Sequence, residues 1–169
     1  MNVTFHALGS FAAAAVLSTA AGDFARSATI KKYVAGFVIG ILIHGALDFA
    51  PHHYPISSRL DVILALVLLL LTYLLVTQPN RLLLIACLAG AIFPDVVDLG
   101  PAIAAKHLGL PVPSLPFKIF PWHWKEFSGS IYDGSRRLES NVCHLLVFSI
   151  SFILILANRK KFFVFWRTG

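Results

Sequence analysis

Residues 81–99 read RLLLIACLAGAIFPDVVDL. The run has the length and composition of a membrane span, for which about 17–25 apolar residues suffice. It nevertheless closes on two carboxylates, Asp95 and Asp98, spaced i, i+3. On a helix such a pair lies on one face. A charge near hydrocarbon is costly, so it normally faces a partner or a wet cavity. The stretch therefore predicts apolar helices in a membrane and a polar site at one end of them.

The rest of the chain fits that frame. Of 169 residues 57% are hydrophobic, and the mean hydropathy is +0.78. Only 13% are charged, where a soluble domain carries about 25%. Three more runs approach spanning length: residues 33–50 (YVAGFVIGILIHGALDFA), 60–77 (LDVILALVLLLLTYLLVT) and 141–158 (NVCHLLVFSISFILILAN). A weaker one, residues 5–22 (FHALGSFAAAAVLSTAAG), is rich in small residues that suit close packing inside a bundle. A signal peptide is the rival reading of that segment. No Lys or Arg precedes it, so the basic n-region is missing and a retained helix is expected. The fold expected is all-α: one polytopic membrane bundle, residues 1–169, of about five helices (5–22, 33–50, 60–77, 81–99 and 141–158). Residues 100–140 form a long loop holding five of the nine prolines, with Trp122 and Trp124 as interfacial anchors. Asn158 opens a basic tail.

Composition also excludes classes. Cys87 and Cys143 form no C-x-x-C, so neither a disulfide framework nor a thiolate zinc site is expected. No basic run interleaved with aromatics suggests a nucleic-acid partner, and no glycine loop suggests a nucleotide. The partner expected is membrane lipid. With the N-terminus outside, eight basic residues fall inside (Arg26, Lys31, Lys32, Arg81, Arg159, Lys160, Lys161 and Arg167). Six remain outside (Arg59, Lys106, Lys118, Lys125, Arg136 and Arg137). The tight cluster near residue 160 carries most of this bias, because basic residues close to helix ends count most.

Alternating helices then bring the polar groups to one face. His6 opens the first helix, His44 and Asp48 lie near the end of the second, Asp95 and Asp98 close the fourth, and Asn141 and His144 open the fifth. His44 and Asp48 are spaced i, i+4, and Asn141 and His144 i, i+3, each pair on one helix face. Bundles build metal sites from carboxylates and imidazoles on facing helices. The candidate ligands are His6, His44, Asp48, Asp95, Asp98 and His144. A mixed His and Asp set suits Zn²⁺, with Mn²⁺ and Fe²⁺ next, better than Ca²⁺. Bound metal would polarise a phosphoryl or acyl oxygen and supply hydroxide near neutral pH. Asp48 or Asp98 would orient that hydroxide or carry its proton.

Other polar residues read as structural. His52, His53 and His123 sit in loops and are expected to contact solvent or headgroups. Asp61 opens a helix, where an acid is favourable. Asn141 suits an N-cap, and Asp133-Gly134 a turn.

The segment GAIFPDVVD resembles the G-x-x-x-P-D-x-x-D element of the inner-membrane metal-dependent hydrolases. These are small multi-helix proteins, similar in pattern to zinc-dependent phospholipase C. FHALGSFAAAA resembles that family's N-terminal His before a small-residue helix, and SNVCHLL its His at the start of a late helix. The resemblance implies metal-binding positions at His6, Asp95, Asp98 and His144, and HGALD adds His44 and Asp48 as a His-x-x-x-Asp pair. The chain departs from the family at Leu145, where a Ser usually follows the His. The resemblance implies a metal-dependent hydrolase of the bacterial inner membrane but gives no substrate; a phosphoester or lipid-linked one is expected from the metal chemistry, and the basic-residue bias puts the site on the non-cytoplasmic side. Two alternatives use the same residues: a metal-ion or proton transporter, and a non-catalytic protein whose His–Asp contacts lock the bundle.

Overall fold

The computed structural model describes residues 1–18, 26–109, 116–133 and 135–164. Every regular element among them is helical: α1 (Val3–Leu17), α2 (Arg26–Phe49), α3 (Ser58–Leu75), α4 (Gln78–Asp98), α5 (Gly100–Leu108), a single 3₁₀ turn (Pro121–His123), α6 (Arg137–Ala157) and α7 (Arg159–Phe162). Four stretches are long and apolar enough to cross a membrane: Ile30–Phe49, Ser58–Leu75, Gln78–Asp98 and Arg137–Ala157. Their large side chains face outward; Leu66, Leu70 and Leu74 of α3 are examples. In water this would be an aggregation surface; against lipid it is the expected exterior.

α1 is the short central helix, packed against α2, α3, α4 and α6. Its sequence explains the position. Ala12, Ala13, Ala14 and Ala15 are all buried, and small side chains let neighbours approach closely. The expected first helix, residues 5–22, begins earlier and ends at Leu17; residues 19–25 lie outside those described.

α2 and α4 form the tightest pair, and two glycines account for it. A Cβ on Gly40 would lie 2.2 Å from the Cys87 carbonyl oxygen, and one on Gly90 2.0 Å from that of Phe37. The backbones touch there, so the last turns of both helices, which carry the polar pairs, are held side by side.

One carboxylate ties α1 to α3. Asp61, in the first turn of α3, accepts the backbone N–H of Val3 (2.6 Å) and of Thr4 (3.1 Å) and the Thr4 hydroxyl (2.7 Å). It thus satisfies donors that the start of α1 leaves open. At the opposite end of the bundle α7 docks on the α3–α4 turn, where Thr77 N–H donates to the Phe162 carbonyl (2.9 Å).

The loop expected over residues 100–140 is partly helical and folds back onto α2. Gly129 N–H donates to the Asp48 carbonyl (2.7 Å), His52 N–H to Gly129 (2.9 Å) and Ile131 N–H to His52 (2.8 Å). A side chain at residue 129 would collide with the Ala50 carbonyl at 2.1 Å. Trp122 fills the space over Gly45 and stacks on Phe120 (5.1 Å between centroids). It therefore roofs the end of the bundle, while Trp124 is exposed as an interfacial anchor would be.

Candidate metal centre

The last turns of α2 and α4 and the 3₁₀ turn converge on one cluster. His44, Asp48, Asp95 and His123 each turn a ligand atom to a common point, all within 4.8 Å of one another, and this group could hold a metal ion. His44 Nε2 lies 3.2 Å from Asp48 Oδ2, 3.6 Å from Asp95 Oδ1 and 3.3 Å from His123 Nε2. His123 Nε2 lies 3.2 Å from Asp95 Oδ1 and 3.6 Å from Asp48 Oδ2.

The outer bonds aim both rings. His44 Nδ1 sits 2.6 Å from the Ala91 carbonyl oxygen. A carbonyl can only accept, so Nδ1 carries the proton and Nε2 presents its lone pair inward. His123 Nδ1 donates to Asp98 Oδ2 (2.8 Å), which leaves its Nε2 facing the cluster. Asp98 also accepts Ile119 N–H (2.8 Å) and Phe120 N–H (3.0 Å). A carboxylate or carbonyl behind each imidazole is the usual support of metal-ligating histidines.

The field in the cluster calls for a cation. α2 and α4 both end here, and helix C-termini carry the negative end of the macrodipole. Three carboxylates add to it, with no Lys or Arg in either last turn, and the Met1 ammonium on Asp48 Oδ1 offsets only part of that charge. The response of His123, outside the spans, registers this. Burial works to lower its pKa, but hydrogen bonds to Asp48, Asp95 and Asp98 outweigh that and raise it to about 10, so a metal bound at Nε2 would have to displace a proton.

His6 stands just behind. Its ring stacks on His44 (4.3 Å between centroids), and Nε2 lies 3.2 Å from Asp48 Oδ1 and 3.1 Å from the Met1 carbonyl. The Met1 amino group also donates to Asp48 Oδ1. His6 Nδ1 is buried with no hydrogen-bond partner. Access differs among the four: the Asp95 side chain is 38% exposed, Asp48 14%, His123 5% and His44 0%. The cluster opens at Asp95.

Of the six expected ligands, His44, Asp48 and Asp95 come together, His6 touches them, and Asp98 reaches the cluster through His123. His144 lies apart. Its Nδ1 donates to the Ser140 carbonyl (2.8 Å), and its ring packs on Phe5 (4.5 Å) and His53 (5.7 Å). Asn141 is not an N-cap, because α6 starts earlier, at Arg137. His52 is not a surface contact, whereas His53 is half-buried. His52 is buried between the Ala50 carbonyl (2.7 Å) and the Tyr54 hydroxyl (3.1 Å), and His53 bonds Ser140.

His123 is the residue that sequence reasoning placed elsewhere. It belongs to no periodic segment and sits in an aromatic, proline-rich loop, so no spacing linked it to the helices. The one local signal is its place between Trp122 and Trp124, which hold the turn against α2 and Lys118. No protein family, curated protein or solved structure matches this chain.

Proposed function

We propose that the chain is a membrane-embedded metal-dependent hydrolase acting on a phosphoester or lipid-linked substrate. The observation that carries the reading is the convergence of two imidazole Nε2 atoms and two carboxylates, each imidazole fixed from behind. The metal proposed is zinc, with manganese and iron next, on the mixed His and Asp donors. Zinc–donor bonds of about 2.0–2.2 Å would fit between the imidazole–carboxylate pairs here, which are separated by 3.2 to 3.6 Å. Held by His44, Asp48, Asp95 and His123, such an ion would supply a Lewis acid for a phosphoryl oxygen and would acidify water.

The protein's own groups do the remaining work. Asp95, the most open of the four, would face the ion through Oδ1 and take a proton from the attacking water on its other oxygen. Asp48 is bonded through Oδ1 to His6 and offers the onward route. Asp98, with both oxygens engaged, keeps His123 aimed. The water oxygen would bond to phosphorus as the ester P–O bond breaks, and the departing alkoxide would recover the proton that Asp95 took. The resemblance suggests a bacterial inner membrane, and the basic residues at α7 favour the cluster on the non-cytoplasmic side.

The same residues would suit a transporter, but a path needs polar groups across the membrane. Between His44 and Tyr33 on α2, and between Asp95 and Arg81 on α4, Cys87 is the one ionisable side chain. End-clustering favours a site.

The test is phosphate release from dodecyl phosphate by purified protein loaded with Zn²⁺ or Mn²⁺. His44→Ala and Asp95→Asn are expected to lose at least about a hundredfold, since even supporting groups of a metal site cost 10–100-fold. Loaded protein that leaves phosphate monoesters and diesters intact would overturn the reading.

A further inference from the structure

α3 leans on α1 and leaves a cleft against α4. The cleft holds about 210 Å³ and is apolar along its walls. Ala65 and Ala91 form its floor, and their small side chains are what leave the space. Leu66 and Ile92, both lipid-exposed, form its rims. Two polar residues line it, His6 and Asp95, and both belong to the polar end of the bundle. From Asp95 to Leu88 it follows α4 for seven residues, roughly 10 Å at the helical rise.

We propose that this cleft receives the apolar chain of a phosphate-bearing amphiphile drawn sideways from the bilayer, with its phosphate set at Asp95 beside the metal cluster. The inference rests on the hydrolase reading and narrows its substrate to a membrane amphiphile. Three features select that occupant. The rims lie on α3 and α4, both able to span, so a chain passes from hydrocarbon to hydrocarbon without crossing water. The cleft is small, about 210 Å³, and apolar apart from His6 and Asp95. It ends at Asp95, the most accessible group of the cluster, so a chain seated there brings its head to the donors. A larger apolar hollow of about 380 Å³, between α1, α2 and α6, has no ionisable lining residue and leads to no chemistry. The polar hollow lined by His53, Tyr54 and Arg137 contains none of the four cluster residues.

The test uses dodecyl phosphate with a diazirine at the chain end, photolysed on the full chain in lipid nanodiscs and mapped by mass spectrometry. Adducts are expected on Leu66, Leu69 and Leu88, toward the end of the cleft away from Asp95. Ala65→Phe fills the floor. Ile92→Trp blocks from the rim and adds no bulk to the core, so it serves if the first variant misfolds. Both should reduce those adducts by at least about tenfold, the factor carried by losing roughly two buried methylenes, with metal content unchanged. Adducts spread evenly over the helices, adducts on Ile43 and Val147, no adducts, or labelling unaffected by both variants would overturn the inference. Cleft labelling without phosphate release would leave the chain site standing and remove the hydrolase reading. Phosphate release with labelling elsewhere would do the reverse.

Discussion

Asp98 and His123 act as one unit. The carboxylate accepts two backbone N–H groups of the loop and the imidazole N–H, so it fixes both the 3₁₀ turn and the ring it carries. Asp98→Asn replaces one acceptor with a donor and sets N–H against N–H. Metal affinity should fall about 10–100-fold, the usual cost of losing an outer-shell partner; competition titration against a chelating dye would measure it, and unchanged affinity would argue against the assignment. His52 makes a second prediction. Burial, the largest influence, lowers its pKa to about 4 from 6.5. Between those values the unfolded chain holds more protons than the folded one. Stability from this residue is therefore complete above pH 6.5 and is lost as pH falls toward 4. Thermal midpoints of His52→Gln should show a shallower pH slope over that window than the parent. At this scale the sequence was legible where helical spacing applied, as with His44 and Asp48. It was silent where a loop supplied the group, as with His123. Spacing also gives the face of a residue but not its neighbour: Asp95 and Asp98 share a face, yet one opens to the cluster and the other braces an imidazole.

Between elements, glycine and a shared carboxylate set the geometry. Any side chain at Gly90 meets the Phe37 carbonyl, so Gly90→Ala must part α2 from α4. Overpacking of this kind costs about 1–3 kcal/mol. The variant should melt lower in detergent and bind metal more weakly although no ligand has changed, whereas Leu82→Ala, on the lipid face, should do neither. Asp61 predicts a separate loss. Asp61→Ala strands the N–H groups of Val3 and Thr4, worth about 1–3 kcal/mol when buried donors go unpaired. Thermal melting should show the drop, and Asp61→Asn, which keeps an acceptor, should recover part of it. The four long spans could be read from apolar runs alone, because lipid imposes length and composition together. Asp61 was readable as an acid at a helix start, but not as the anchor of another helix, since that depends on packing between segments distant in sequence.

For the molecule as a whole, apolar helices carry a compact, negatively biased cluster to one end. Two helix C-termini and three carboxylates make that end a place for a cation, and the folded-back loop supplies the imidazole that completes the donor set. The account stands on metal binding. The deciding measurement is elemental analysis of detergent-purified protein beside Asp95→Ala and His123→Ala. The account predicts at least one equivalent of zinc, manganese or iron in the parent, and its loss in both variants while they stay folded by circular dichroism. A folded parent that remains metal-free after incubation with all three ions would contradict it, leaving the His–Asp cluster as a lock between helices.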